Sequence, residues 1–80
     1  MDVSDGGRFG TVMASNVIAD GMALELTDFS DPQPGPVLEA FWHDDGSGFD
    51  FRCHREARLP FDVVERFIAE ARRRLPPESN

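Results

Sequence analysis

Between Met22 and Thr27 the chain alternates, with Met22, Leu24 and Leu26 on one side and Ala23, Glu25 and Thr27 on the other. That period of two predicts a half-buried strand. Asp20-Gly21 just before it is a hairpin signal, and Phe9 to Ile18, with Phe9, Val12, Met13, Val17 and Ile18 among small residues, predicts the strand on the other side of the turn. Pro32, Pro34 and Pro36 forbid regular ladder pairing from about Asp31 and predict a stiff spacer. Val37 to His43 then predicts a third strand and Phe49 to His54 a fourth. They are joined by Asp44-Asp45-Gly46-Ser47-Gly48, whose two glycines permit the positive φ of a tight connection.

Charge proposes a register for the last two strands. If paired residue numbers sum to 91, Leu38 faces Cys53, Ala40 faces Phe51 and Trp42 faces Phe49 on the inner side, and Glu39 faces Arg52 on the outer side. Opposite charges so placed contribute up to ~1 kcal/mol. From Pro60 to Leu75 the period changes to that of a helix, with Val64, Phe67, Ile68, Ala71 and Leu75 forming one apolar stripe. Asp62 complements its start, Arg72, Arg73 and Arg74 complement its end, and Pro76-Pro77 stops it. The stripe must be buried on the sheet. The expected fold is α+β: a four-stranded antiparallel meander with one C-terminal helix on one face (ββββα), a single domain over residues 1–80 with flexible ends at 1–7 and 77–80. In that packing Val64, Phe67, Ile68 and Ala71 meet Leu24, Leu26, Leu38, Trp42, Phe49 and Phe51, and Cys53 is an inert core residue.

Composition narrows the function classes. The 80 residues carry 15 acids and 8 bases, a formal charge of −7. Residues 1–50 hold ten acids and one arginine, a net of −9, and residues 51–80 hold five acids and seven arginines, a net of +2. An acidic chain is repelled by phosphate backbones and anionic lipid, so no direct nucleic-acid or membrane partner is expected. No stretch approaches the ~20 apolar residues of a membrane span. The single cysteine and the lack of a secretion-signal pattern predict the reducing cytoplasm.

One helix shields one face of a sheet, so alternation predicts an exposed outer face. It carries Glu25, Val37, Glu39, Phe41, Asp50 and Arg52, with His43 and His54 beside them and the Asp44-Asp45 turn at one end. An aromatic ringed by carboxylates has the make-up of an apolar anchor with a polar rim, and these residues are the expected partner-binding site, centred on Phe41 and Glu39. A metal centre is disfavoured. In the proposed register His43 and His54 lie ~20 Å apart along neighbouring strands, too far to share one ion. Cys53 and His54 point to opposite faces, which removes a nucleophile–base pair. The Asp44–Asp50 run lacks the glutamate at the twelfth position of a calcium loop, and no phosphate-cradling loop or nucleophile elbow is present. No cofactor and no enzyme activity are expected. On the helix, Asp62–Arg66 and Glu70–Arg74 are spaced as surface ion pairs.

Asp20-Gly21-Met22-Ala23-Leu24-Glu25-Leu26, Val37-Leu38-Glu39-Ala40-Phe41-Trp42 and Leu59-Pro60 through Pro76-Pro77 together resemble small stand-alone bacterial proteins of four strands and one helix, among them immunity proteins that neutralise a toxin by direct binding. The resemblance spans about residues 9–77 and implies a non-enzymatic inhibitory role. The partner expected is a toxin or enzyme with a basic surface, since complementary charge can raise association rates ~10- to 1,000-fold. Two alternatives stand beside it. One is a phage-encoded inhibitor of a bacterial defence system that mimics nucleic-acid charge; the other is a homodimer that buries the outer face against its twin.

Overall fold

The computed structural model describes residues 7–16 and 20–75. Its elements are β1 (Phe9–Asn16), β2 (Gly21–Asp28), β3 (Leu38–His43), β4 (Phe49–Cys53) and α1 (Phe61–Arg74). The strands form one antiparallel sheet in the order β1-β2-β3-β4, so the fold is an α+β ββββα meander, as the alternation predicts. The expectations for residues 1–6, for Val17 and Ile18, and for Pro76-Pro77 and the residues after them lie outside the described residues.

The β3–β4 register is the one charge selects: Leu38 pairs with Cys53, Glu39 with Arg52, Ala40 with Phe51 and Trp42 with Phe49. In the turn between them only Gly46 uses its freedom, at φ +79°. Asp20 ends the β1–β2 connection at φ +57°, a conformation a short polar side chain tolerates. The Asp44 amide donates to the Asp20 carbonyl at 2.9 Å, which ties these two turns into one end of the sheet.

At the other end two arginines hold the connections. Arg8 grips Asp28 with two parallel bonds, Nε to Oδ1 at 3.1 Å and Nη2 to Oδ2 at 3.0 Å. Ser30 adds its hydroxyl and its amide to Oδ1. The Arg8 side-chain bond above all, helped by Ser30, holds the Asp28 carboxyl at about 2, below the usual carboxylate range. Arg55 pins the proline-rich spacer, donating to Asp31 Oδ2 at 3.0 Å and to the Pro34 carbonyl at 2.7 Å.

The core lies between α1 and the first three strands. Phe9, Leu24, Leu26, Val37, Leu38 and Ala40 meet Val63, Phe67, Ala71 and Leu75, with Met13, Met22, Trp42, Leu59 and Val64 at the margin. The helix therefore buries Val63, Phe67, Glu70 and Ala71 instead of the purely apolar stripe through Val64 and Ile68. On a wheel of ~100° per residue this is a roll of roughly 60 to 70°. The cause is Glu70, which is 2 % exposed. Its Oε2 accepts bonds from Thr11 Oγ1 at 3.1 Å and from Arg74 Nη1 at 2.6 Å, and turning this carboxylate inward turns Ile68 outward. The Glu70–Arg74 pair expected on the surface is thus half-buried, whereas Asp62–Arg66 is exposed and loose at 3.8 Å.

The roll separates two neighbouring helix positions. Phe67→Ala empties a fully buried site and should cost ~3 to 5 kcal/mol, while Ile68→Ala should cost less than ~1 kcal/mol. Chemical denaturation of the two variants checks this, and equal losses contradict the observed seating.

Candidate functional site

The outer face departs from its expected character. Phe41 is 4 % exposed, and Glu39, Val37 and Ala23 are also buried. Phe41 lies across the neighbouring strand, where a side chain on Gly21 would collide with the Phe41 ring and with the Trp42 carbonyl oxygen. The ring also meets His43 edge-on at 4.8 Å between centroids. A glycine on the next strand has let the aromatic fold down onto the sheet, so Phe41 is not the exposed anchor that alternation implied. Val37, expected on the same face, belongs to the core cluster, its backbone bonded to Leu26 on one side and His54 on the other.

Glu39 is enclosed by basic side chains. Its Oε1 accepts from His54 Nε2 at 2.7 Å and lies 3.8 Å from Arg52 Nη1, while its other cross-strand neighbour is the like-charged Glu25. A second histidine–carboxylate contact joins His43 Nε2 to Asp50 Oδ2 at 2.7 Å. Each histidine thus serves a different carboxylate. Among the described residues no three His, Cys, Asp or Glu side chains are arranged to hold a metal ion.

Of the expected site residues, Asp44, Asp45, Asp50 and Arg52 are exposed and Glu25 is half-buried. Asp44 and Asp45 join Asp20 and His43 around a shallow concavity at the tied turns. Ser47 bonds Asp45 through its hydroxyl and its amide, the amide at 2.8 Å, and holds this carboxyl below its usual range. The charge of Asp45 therefore persists further into acid. Among the described residues the arginines near the sheet are engaged elsewhere: Arg8 on Asp28, Arg52 on Glu39 and Arg55 on Asp31.

A surface that alternation alone did not reveal lies on the helix side. Because α1 sits over β1 to β3, the inner side of β4 is uncovered: Phe49 is 40 % exposed, Phe51 52 % and Ile68 43 %. Cys53, expected in the core, is exposed at the end of the same row. These side chains form a groove between β4 and α1, floored by Ala40 and Phe67 and rimmed by Asp50 and Arg72. The signal was present in the sequence as Glu70, a carboxylate within the buried arc of the helix.

Comparison with family models, with curated proteins and with solved structures finds no match. Among the described residues no helix is long and apolar enough to cross a membrane.

The position of Phe41 has a direct test. Gly21→Ala inserts a methyl group where the ring and a backbone oxygen already stand and should lower stability by ~1 to 3 kcal/mol. An unchanged melting midpoint contradicts the stacking of Phe41 over Gly21.

Proposed function

We propose that this chain is a non-enzymatic acidic binding module, an immunity-type or inhibitor protein that covers a basic surface on a toxin or enzyme. The observation that carries this reading is the convergence of Asp20, Asp44 and Asp45 beside His43 at the tied turns, where, among the described residues, no arginine forms a salt bridge with them. Their docking role replaces the one assigned to Phe41. Three carboxylates fixed on two short, mutually bonded turns present a preorganised anionic surface, so little ordering cost remains when a cationic partner arrives. Long-range attraction then sets the encounter rate. Asp50 and Glu25 continue the negative field along the outer face, where the exposed Arg52 offsets part of it.

The test uses the partner captured from the native host and measures binding kinetics against ionic strength. Asp44→Asn combined with Asp45→Asn should slow association by ~3- to 10-fold at low salt and flatten its salt dependence, with dissociation little changed. If this variant binds as the parent does while charge reversal at Arg72, Arg73 and Arg74 abolishes binding, the helix is the docking surface and the proposal fails.

A further inference from the structure

We propose that the chain also pairs with a second copy of itself through β4, antiparallel and centred on Phe51, to make one eight-stranded sheet. This goes beyond the partner reading above and does not depend on it. Among the described residues β4 is an edge of the sheet, and all five of its residues are exposed. Such an edge offers a row of backbone donors and acceptors to any strand that can match it.

The backbone fixes which groups are on offer. The His43 amide donates to the Gly48 carbonyl at 3.1 Å and the His54 amide donates to the Val37 carbonyl at 2.9 Å, so even-numbered positions along β4 face β3. In an antiparallel ladder the direction alternates, which points the N–H and C=O of Phe49, Phe51 and Cys53 at the open edge. A two-fold pairing must match these odd positions with one another, and only centres at residue 50, 51 or 52 keep at least two of the three matched among themselves. Centring on Asp50 sets two carboxylates face to face, and centring on Arg52 sets two guanidinium groups face to face. Centring on Phe51 places Asp50 of each copy opposite Arg52 of the other, twice, and overlaps the whole strand.

In that register the Asp50–Arg52 pairs are the close, non-hydrogen-bonded pairs of the ladder, where side chains interact most strongly. Both groups are more than half exposed in the single chain, and Arg52 is only loosely held by Glu39 at 3.8 Å. On the helix side Phe51 meets its own copy and Phe49 meets Cys53 of the second copy, which covers apolar surface that α1 leaves open. The displaced seating of α1 leaves the space above β4 clear. β1, the opposite edge, has the sequence Phe-Gly-Thr-Val-Met-Ala-Ser-Asn and carries no charge to select a register. The symmetric pairing is isologous and closes at two copies.

Two measurements test the proposal together. Analytical ultracentrifugation of the full chain at roughly 100 μM, where a Kd of ~10 μM already populates dimers, should show a dimer. Asp50→Arg should weaken it by at least about tenfold, and Asp50→Arg combined with Arg52→Asp should restore it by exchanging the charges across the axis. The second measurement is thiol pairing under mild oxidation. Phe51→Cys combined with Cys53→Ser should give a covalent dimer, because residue 51 faces its own copy at a separation a disulfide spans. Phe49→Cys combined with Cys53→Ser should not, because residue 49 then lies four residues from its copy. A monomer at this concentration, a dimer indifferent to Asp50→Arg, or equal cross-linking at positions 49 and 51 would each overturn the pairing.

Discussion

An α-helix ~10 Å wide cannot cover four strands spaced ~4.8 Å apart, so where α1 sits decides which part of the sheet stays wet. Its seating is set by Glu70. A carboxylate 2 % exposed must be hydrogen-bonded or it costs several kcal/mol. Thr11 on β1 and Arg74 one turn along α1 supply bonds to Oε2, while the buried Oε1 has no partner among the described residues. Reaching Thr11 draws the helix toward β1 and turns Val63 into the core cluster that holds Leu24, Leu26 and Phe67. The inner side of β4 is left uncovered as a geometric consequence, which is why two phenylalanines, an isoleucine and a cysteine face solvent in so small a chain.

The sheet was legible in the sequence because each of its signals repeats. Alternation over Met22–Thr27, turn chemistry at Asp20-Gly21 and Gly46, and the Glu39–Arg52 pair all select one strand order and one register, and local and cross-strand preferences agree. The helix was legible in its extent and not in its roll. A hydrophobic stripe assumes that charges face outward, and the spacing of Glu70 and Arg74 reads equally well as a surface pair. The burial that distinguishes the two depends on Thr11, 59 residues away.

Phe41 shows the same limit on a single strand face. Alternation places its Cβ on the outer side correctly, but exposure depends on the neighbour across the ladder. Gly21 gives the ring room to lie flat. What remains of the expected site is its charge: Asp44 and Asp45 stay at the surface beside Asp20, while Arg8 and Arg55 are spent on neutralising Asp28 and Asp31 and Arg52 lies loosely beside Glu39. The acidic and the apolar features thus occupy different regions, one at the tied turns and the other along the β4 edge. Two surfaces of different chemistry on one small sheet can serve two kinds of contact, with Asp50 at the border between them.

The placement of α1 by Glu70 is tested most directly by a double-mutant cycle between Thr11 and Glu70. Thr11→Val, Glu70→Gln and the double variant, each unfolded by denaturant, give the coupling between β1 and the helix. A favourable coupling of at least ~0.5 kcal/mol is predicted, the size of a hydrogen bond to a partly compensated charge. Strictly additive losses would mean that the two side chains do not meet, and would contradict the seating from which the open β4 edge follows.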